Sequence, residues 1–409
     1  MKAIIPVAGA GAKLRPHTYT QPKALIPIAG KTILSFIVDQ LKAEGLNEFI
    51  FVVGYLGEKI QDYVEQTYPN LTTHFVHQND RQGTAHAIQL AQDIVGGDEV
   101  FIALGDTICE YDIKEVLESP TSMLGVQKVD DPRQFGVAEM NEDGMIEHVV
   151  EKPSIPKSNH ALVGLYKIKE STILFDCFQQ LVNDNIKSNG EYNLTDALDC
   201  MIKKGVAFKS FKVKNWFDCG KKETLLETNA MLLKKSGGYS INPELYTNSI
   251  IIAPVSIADG CIIENSIIGP HVTIGNNTTI RSSIVKDSII GSYTALDEVV
   301  LDNSLIGSDA AVKGMSRTLN IGDNIIVLNS DETGTPSQNA GIEIERGTSS
   351  NRSLLWMEGT DYWQFDGSAS VYASRFVGDL AGDVYASNGT SKILEAGTDG
   401  TDATFTGTS

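Results

Sequence analysis

The chain has 409 residues, too many for one ordinary hydrophobic core, so two or three domains are expected. Its 33 basic and 52 acidic side chains give a net charge of −19, which argues against broad binding to nucleic acid or to an anionic membrane. No apolar stretch approaches the roughly 20 residues of a membrane span. The five widely spaced cysteines indicate neither a disulfide framework nor a zinc site, which fits a reducing, cytoplasmic environment.

Short apolar runs alternate with helical patterns through residues 1–240. Residues 48–54, 99–104 and 162–168 are predicted strands, and the spacing of apolar residues across 32–44 predicts a helix. Strands that alternate with helices indicate an α/β fold with a doubly wound, mostly parallel sheet. Ligands of such sheets bind over the carboxyl ends of the strands.

A turn of small residues follows the first apolar run, 4–7, and basic residues follow the turn. Backbone N–H groups in such a turn can face phosphate oxygens, and the basic side chains supply the countercharge that a triphosphate needs. Taken alone, the turn is more typical of a plain strand-to-helix connection. The turn residues are Ala8, Gly9 and Gly11, and the basic residues are Lys13, Arg15 and Lys23.

Gln78 is followed by Gly83 and Thr84, which by position open a helix. A helix start of this kind lets the backbone approach a flat ligand and read its edge by hydrogen bonds. The alternative is a simple helix cap.

Two aspartates stand where strands are predicted to end. Asp106 follows the apolar run 100–104, and Asp218 follows a strand and precedes a helix. Two such carboxylates can share one Mg²⁺ with substrate phosphates, although Asp106 could equally cap the next turn.

Glu151 and Lys152 are adjacent in a predicted loop. The carboxylate can accept from sugar hydroxyls while the ammonium neutralises a phosphate. Taken singly, such a pair is more often a surface ion pair. Gly136, Gly164 and Tyr166 belong to the same group of motifs.

Residues 241–324 have a different spacing of apolar residues, with isoleucines five or six positions apart at 257, 262, 268, 274 and 280. This period is typical of a hexapeptide β-helix, in which an apolar residue turns inward once per side, and small antiparallel hairpins are the alternative. Such coils often pack together, so a homo-oligomer is expected.

Residues 325–409 are rich in Gly, Ser, Thr and Asp and resemble bacteriophage tail-fibre segments. This segment is predicted to form a β-rich tail whose end, 397–409, is disordered.

The ordered set of motifs in residues 1–324 resembles the sugar-phosphate nucleotidyltransferases, especially glucose-1-phosphate thymidylyltransferases of the long type with a left-handed β-helix, and their uridylyl relatives. The resemblance implies transfer of a nucleotidyl group from dTTP or UTP to a sugar 1-phosphate, glucose 1-phosphate first. It implies catalytic roles for Lys13, Arg15 and Lys23 on the phosphates. It further implies that the small-residue turn (Ala8, Gly9, Gly11) and the base-reading set (Gln78, Gly83, Thr84) bind the nucleotide, that Asp106 and Asp218 bind Mg²⁺, and that Gly136, Glu151, Lys152, Gly164 and Tyr166 line the sugar-phosphate pocket.

The chain departs from this pattern at several places. The Thr-Arg pair of the family is Ala12-Lys13 here, which keeps the charge and loses the two-pronged guanidinium, and Cys219 replaces the usual Thr. The fibre-like segment follows directly after residue 324. Two alternatives therefore stay open: a bifunctional enzyme with an acyltransferase in the β-helix, for which His271 is the available histidine, and a virion structural protein with an enzyme-like first part.

Overall fold

Two compact units, Met1–Ile326 and Val327–Ser409, make up the chain. The computed structural model describes residues 1–15, 17–237, 246–314, 320–321, 339–346, 349–359, 362–365, 384–385, 392–395 and 404–405. The predicted domain limits at residues 240 and 324 stay predictions.

Strands and helices alternate through the first 237 residues, which confirms the α/β class. The strands are β1 Lys2–Pro6, β2 Pro27–Ile28, β3 Lys31–Thr32, β4 Glu48–Val53, β5 Thr72–His77, β6 Val100–Ala103, β7 Thr107–Glu110, β8 Ser122–Lys128, β9 Gly136–Met140, β10 Met145–Glu151, β11 His160–Ile168, β12 Phe208–Lys212 and β13 Asn215–Asp218. The α-helices are α1 Ile33–Ala43, α2 Gly57–Thr67, α3 Thr84–Gln89, α4 Gln92–Val95, α5 Ile113–Glu118, α6 Ser171–Asn183, α7 Leu194–Lys203 and α8 Lys222–Ser236, and 3₁₀ turns span Ala12–Leu14, His17–Tyr19 and Lys23–Leu25. No helix in the described ranges has both the length and the apolar character needed to cross a bilayer.

The central sheet has nine strands in the order β5-β4-β1-β6-β11-β8-β12-β10-β9. β5, β4, β1 and β6 are parallel, so their carboxyl ends share one edge of the sheet. β11 runs antiparallel to both β6 and β8, and β9 and β10 form an antiparallel hairpin. The prediction of a mostly parallel sheet therefore holds for the first half of the sheet and is wrong for most of the second. The turn between β9 and β10 is too short for the crossover that parallel strands require.

Helix α1 illustrates how the sequence forms these elements. The Thr32 hydroxyl accepts a hydrogen bond of 3.0 Å from the Ser35 N–H and so caps the helix start. Its apolar residues recur on one face, which is buried against the sheet and confirms the predicted helix. The buried apolar residues are Ile33, Leu34, Ile37, Val38 and Leu41.

Short strands from residue 250 to residue 313 pair only in parallel with one another. They are β14 Ile250–Ile251, β15 Val255–Ile257, β16 Ile262–Glu264, β17 Ile267–Ile268, β18 Val272–Ile274, β19 Thr279–Arg281, β20 Ile284–Lys286, β21 Ile289–Ile290, β22 Ala295–Asp297, β23 Val300–Asp302, β24 Leu305–Ile306 and β25 Ala311–Lys313. Every third strand joins the same sheet, which gives β14-β17-β20-β23, β15-β18-β21-β24 and β16-β19-β22-β25. Three interleaved parallel sheets are the faces of a β-helix, so the hairpin alternative is wrong for this region. The left-handed sense of the coil and the homo-oligomer stay predictions.

The inward row of this β-helix differs from the predicted one at a single coil. Ile268, Ile274 and Ile280 are buried as expected. Ile262, however, is 47% exposed, and its neighbour Ile263 points into the core instead. A shift of one residue reverses the face of a strand, which is why spacing alone misassigned this residue.

The second unit contains antiparallel strands. After β26 Asn320–Ile321, which pairs with β25, the strands are β27 Ala340–Arg346, β28 Ser349–Met357, β29 Tyr362–Phe365, β30 Val384–Tyr385, β31 Lys392–Glu395 and β32 Thr404–Phe405. β27, β28 and β29 form one sheet, in which the rings of Trp356 and Trp363 meet edge to face at 5.8 Å. β32 pairs with β31. The expected disorder of 397–409 stays a prediction, since all of that range except 404–405 lies outside the described residues. The tail-fibre resemblance stays a prediction.

Candidate active site

The small-residue turn that follows β1 crosses the carboxyl end of β4. Ala8 is buried against Gly54, where an added Cβ would lie 2.9 Å from the Ala8 carbonyl oxygen. Gly11 has a φ of +62°, a conformation that favours glycine, and a Cβ on it would lie 2.8 Å from Thr18 Cγ2. The Thr18 hydroxyl in turn donates to the Gly11 carbonyl oxygen at 2.8 Å, which fixes the turn, while Gly9 stays exposed.

Lys13 and Arg15 are both exposed beside this turn. The Arg15 guanidinium lies 5.0 Å from the centre of the Tyr19 ring, a cation–π contact. Among the residues that the structure describes, neither cation has a carboxylate partner, and neither side chain is hydrogen-bonded or ion-paired to another predicted site residue. Their positive charges are therefore available to an anionic ligand.

Lys23 and Asp106 form an ion pair at the carboxyl end of β6. The Lys23 Nζ lies 2.9 Å from the Asp106 Oδ2, although the two residues are 83 positions apart. The Lys23 side chain is 14% exposed and that of Asp106 is 49% exposed. Thr107 donates to the other carboxylate oxygen at 3.2 Å. The predicted phosphate-binding lysine and the predicted metal ligand are thus direct partners.

The backbone brings Asp218 close to Asp106. Strand β13 pairs with β7 so that Asp218 is opposite Thr107, and the Cys219 N–H donates to the Asp106 carbonyl oxygen at 3.2 Å. No three His, Cys, Asp or Glu side chains of the described residues are grouped so that they could hold a metal ion by themselves. Mg²⁺ commonly uses one or two carboxylates and completes its shell with water and substrate phosphates, so the half-exposed Asp106 carboxylate fits this ion. The side chain of Asp218 lies outside the described part of the structure, and its role as a ligand stays a prediction.

Gln78 follows β5 and is buried. Its side-chain Nε2 lies 3.3 Å from the Gly83 carbonyl oxygen and 3.1 Å from His86 Nδ1. Because a carbonyl can only accept, the amide group that faces Gly83 is the NH₂. Both contacts therefore use the amide nitrogen and leave the amide oxygen of Gln78 as the acceptor for a ligand.

Gly83 and Thr84 are held by the loop between α6 and α7 and by the start of α7. Gly83 has a φ of +110°, and a Cβ on it would lie 2.3 Å from the Tyr192 carbonyl oxygen. The same carbonyl accepts from the Ala85 N–H at 2.9 Å, and the Thr84 hydroxyl accepts from the Leu194 N–H at 3.0 Å. The glycine at 83 is thus required by the close approach of this loop, a reason that the sequence did not reveal.

Glu151 ends β10 directly opposite Gly136. Its Oε2 accepts from the Thr195 hydroxyl at 2.7 Å, and its Oε1 lies 3.5 Å from Lys152 Nζ. A Cβ on Gly136 would lie 3.0 Å from the Thr195 hydroxyl oxygen and 3.3 Å from Glu151 Oε2. The absence of a side chain at 136 therefore makes room for the carboxylate and its threonine partner.

Lys152 has a φ of +42°, unusual for a residue with a side chain. Its N–H donates to the Phe135 carbonyl oxygen at 3.0 Å, and the Phe135 ring meets Trp216 edge to face at 4.8 Å. Since Trp216 belongs to β13, the same strand as Asp218, this contact links the sugar-side lysine to the second aspartate.

Gly164 and Tyr166 lie on β11, where the pairing with β8 is irregular between residues 162 and 166. Gly164 has a φ of +84° and accepts a hydrogen bond from the Leu104 N–H at 2.9 Å. Burial raises the pKa of the Tyr166 phenol, and the negative charges of Glu151 and Asp106 raise this pKa further. The phenol therefore lies within electrostatic reach of both carboxylates.

Helix α7 supplies residues that sequence reasoning did not assign. Besides Thr195, Asp196 has a pKa raised by burial and by the negative charge of Glu151, whereas a hydrogen bond of 2.9 Å from Ser188 lowers it. The second oxygen of Asp196 is buried and has no hydrogen-bond partner among the described residues. The run Glu191 to Asp196 has the sequence EYNLTD, and nothing in the spacing of these residues indicates which carboxylate they face.

Comparison with known proteins gives a consistent result. Residues 2–235 match the family described as "Nucleotidyl transferase". The chain is 31% identical to the low-salt glycan biosynthesis nucleotidyltransferase Agl11 of Haloferax volcanii, with 80% of this chain and 98% of that protein covered. It is 34% identical to the bifunctional protein GlmU of Methanocaldococcus jannaschii, with 80% and 81% covered. It is 28% identical to a glucose-1-phosphate thymidylyltransferase of Streptomyces griseus, with 76% and 93% covered.

Among solved structures, the chain is similar to a putative glucose-1-phosphate thymidylyltransferase of Bacillus anthracis. The match has a TM-score of 0.50 and 27% identity, and it covers 59% of this chain and 96% of that one.

Proposed function

The chain belongs to the nucleotidyl transferase family, and from this premise we propose that it transfers a nucleotidyl group from dTTP or UTP to a sugar 1-phosphate, with glucose 1-phosphate as the first candidate. One observation carries the proposal. The Lys23–Asp106 ion pair combines a phosphate-binding cation with a metal-binding carboxylate at the end of β6. The groups proposed to read the base lie between Lys23 and Asp106 along the chain, and those proposed to bind the sugar follow Asp106.

The phosphate side of the proposed site consists of cations that the protein itself does not neutralise. Lys13 and Arg15 would bind the β- and γ-phosphates and stabilise the charge of the leaving pyrophosphate. The net charge of −19 makes such a local positive region necessary, because the protein as a whole repels a triphosphate.

Lys23 has a further task because it starts out bound to Asp106. When a triphosphate arrives, Lys23 can exchange the Asp106 carboxylate for a phosphate oxygen, and the carboxylate is then free to bind a cation together with Asp218. Mg²⁺ held by Asp106 and Asp218 would supply positive charge that neutralises the reacting phosphates. The exchange keeps the charges balanced at each stage, so no unpaired charge is left in the half-buried site.

The orientation of Gln78 supports a base with a donor at N3. Uracil and thymine carry an N3–H that can donate to the free amide oxygen of Gln78, whereas cytosine offers only an acceptor at that atom. dTTP and UTP both satisfy this requirement and differ in the 5-methyl group and the 2′-hydroxyl.

The sugar side is held by hydrogen bonds within the protein. Thr195 fixes one oxygen of Glu151, and the other oxygen can accept from a sugar hydroxyl. Lys152, with its side chain about half exposed, can bind the phosphate of the incoming sugar 1-phosphate.

In the reaction itself, a phosphate oxygen of the sugar 1-phosphate forms a bond to the α-phosphorus of the nucleotide. The bond between that phosphorus and the oxygen bridging to the β-phosphate breaks, and its electron pair leaves with pyrophosphate. The second pKa of a phosphate monoester is about 6, so the nucleophile is already anionic and needs no general base. The protein contributes alignment and charge neutralisation.

A matrix of nucleotides and sugar 1-phosphates, with pyrophosphate release as the readout, tests the proposal. We expect turnover with dTTP or UTP in the presence of glucose 1-phosphate, and none with CTP. Pyrophosphate release that does not need a sugar 1-phosphate, or turnover with CTP alone, would contradict it.

A second activity is worth testing because of one contact in the β-helix. His271 Nδ1 lies 2.7 Å from Asp287 Oδ1, an arrangement in which a carboxylate orients a histidine for proton transfer. The corresponding candidate is acyl transfer to an amino-sugar phosphate. Turnover of acetyl-CoA with glucosamine 1-phosphate that is lost in His271→Asn would support it, and no acetyl-CoA turnover in the wild-type protein would reject it.

A further inference from the structure

One corner of the β-helix lies against the segment that carries Lys23. The corner consists of residues 307–308, between β24 and β25. The Ser308 hydroxyl oxygen is 2.9 Å from Gln21 Oε1, a contact between residues 287 positions apart. An added Cβ on Gly307 would lie 3.5 Å from His17 Nδ1, which is ordinary van der Waals distance.

The direction of the Ser308 hydrogen bond follows from its neighbours. Gln21 Nε2 donates to the Leu25 carbonyl oxygen at 2.7 Å, so the other end of this amide is an oxygen and can only accept. The Ser308 oxygen itself accepts from the Ser292 N–H at 3.2 Å. The single hydroxyl proton of Ser308 is therefore donated to Gln21.

Gln21 in turn clamps the 3₁₀ turn Lys23–Leu25. Its amide oxygen is bound to the β-helix, and its amide nitrogen is bound to the carbonyl that ends this turn. Lys23 lies between these two anchor points. A fixed backbone at 23 determines how far the Lys23 ammonium can reach, both to Asp106 and to a phosphate.

Apolar contacts with the β-helix also hold the same segment. Ile289 and Leu305 of the β-helix belong to one buried cluster with Leu14 and Ile26, which flank the phosphate-binding cations. Removal of the Ser308 hydroxyl should therefore loosen the clamp without separating the β-helix from the sheet.

We propose that residues 307–308 of the β-helix are part of the nucleotide-binding machinery, with Ser308 and Gln21 as positioning residues that hold Lys23 for the triphosphate. The expected effect on catalysis rests on the proposed function. The coupling, that is, the link from the β-helix through Gln21 to the Lys23 turn, rests only on the contacts above.

The chain offers a matched control one coil earlier. Ser292 occupies the equivalent corner, after the glycine that follows β21, and its hydroxyl accepts from the Asn276 N–H at 3.1 Å just as Ser308 accepts from Ser292. Thr278 and Thr294 bind the Gly291 and Gly307 carbonyl oxygens in the same way, each at 2.9 Å. Ser292→Ala thus removes the same corner hydroxyl from the coil without touching Gln21.

The kinetic test compares Ser308→Ala, Ser308→Thr and Ser292→Ala in the full chain. One hydrogen bond is lost, so we expect the nucleotide KM of Ser308→Ala to rise about five-fold. The KM for the sugar 1-phosphate should stay unchanged, Ser308→Thr should restore the nucleotide KM, and Ser292→Ala should resemble the wild type. A merely structural role would lower the active fraction, and thus kcat, without this selective rise in KM. An unchanged nucleotide KM in Ser308→Ala, or an equal rise in Ser292→Ala, would overturn the inference.

A second measurement separates this inference from the proposed function. Hydrogen exchange of the Leu25 and Ile26 amides reports on the clamp without any substrate, and both amides are bonded within the 3₁₀ turn. We expect faster exchange at these amides in Ser308→Ala and wild-type rates in Ser292→Ala. If the wild-type chain turned over no nucleotide, the proposed function would fail, while the exchange data would still decide whether the β-helix holds this segment; equal rates in all variants would reject the coupling.

Discussion

Charged side chains are arranged differently in the β-helix and in the strand-end region of the sheet. In the β-helix, Arg281 pairs with Glu264 and Lys313 pairs with Asp297, each at 2.8 Å and each across one coil. In the strand-end region, Lys13 and Arg15 have no carboxylate partner among the described residues. The first arrangement neutralises charge within the protein, and the second keeps charge for a ligand.

Lys23 shows that an ion pair alone does not distinguish the two regions. It is paired with Asp106 as closely as the β-helix pairs are, yet it is the most buried of these lysines, at 14% side-chain exposure against 54% for Lys313. Exposed pairs contribute little to stability because water and salt screen them. In the proposed function, the Lys23–Asp106 pair at the end of a central strand instead exchanges its partners for those of a substrate.

The largest effect is expected from Asp106→Asn and Asp218→Asn. Each should reduce metal-dependent turnover by more than about 1,000-fold, because the charge that neutralises the transferring phosphates is lost with its ligand. The double variant should be little worse than either single one, since both residues are proposed to bind one ion. Pyrophosphate release measured across a Mg²⁺ titration checks this, and additive losses would show that the two aspartates act separately.

Lys23→Ala should lower turnover by about 100- to 1,000-fold while the fold stays intact. The matched control is Lys313→Ala, which breaks an ion pair of nearly the same length in the β-helix and should leave activity at the wild-type level. Similar activity of the two variants would mean that the contrast between the regions has no functional meaning.

On the sugar side, Thr195→Val should raise the KM for the sugar 1-phosphate about ten-fold, because a hydrogen bond to a charged carboxylate is lost. Thr195→Ser keeps the hydroxyl and should restore most of the affinity. The nucleotide KM should not change in either variant. A selective rise in the nucleotide KM would instead place Thr195 on the other side of the site.

Lys13→Arg should have a smaller effect in the opposite direction. A guanidinium can form two parallel hydrogen bonds to phosphate oxygens, so we expect the nucleotide KM to fall about two- to five-fold with no change in the KM for the sugar 1-phosphate. A higher nucleotide KM would show that the present turn is adapted to lysine.

The smallest effect is expected from Arg281→Gln in the β-helix. Both partners of this pair are largely exposed, so its loss should cost less than about 1 kcal/mol in the free energy of unfolding and leave nucleotidyl transfer unchanged. Chemical denaturation and the pyrophosphate assay measure the two quantities. A marked loss of activity would mean that this ion pair in the β-helix affects catalysis and not only the stability of the coil.

The elements themselves were largely predictable from local patterns. The apolar residues of 32–44 recur every three or four positions, as one buried helix face requires, and α1 covers nearly all of that range. The spacing of the isoleucines predicted the β-helix, but it assigned the inward position to Ile262 instead of its neighbour Ile263. The antiparallel pairing of β11 with β6 was also missed, because strand direction depends on how distant segments are connected rather than on the residues within a strand.

The residues of the candidate site could be selected from the sequence, but their partners could not. The chemistry of Lys23, Asp106 and Glu151 is a property of each side chain and its immediate neighbours. Their contacts depend on distant segments: Glu151 is held by Thr195, which is 44 residues away, and Gly83 is crowded by Tyr192 in the loop between α6 and α7.

The sequence by itself therefore determined the elements, the order of the motifs and the chemical groups available to a substrate, because propensity, period and side-chain chemistry act over a few residues. Only the tertiary structure decided that Lys23 is bound to Asp106 and that a β-helix corner reaches Gln21. These contacts depend on where the short strands β2, β7 and β13, helix α8 and the β-helix pack against each other. That packing is set by the burial of a shared apolar cluster and not by any local signal in the chain.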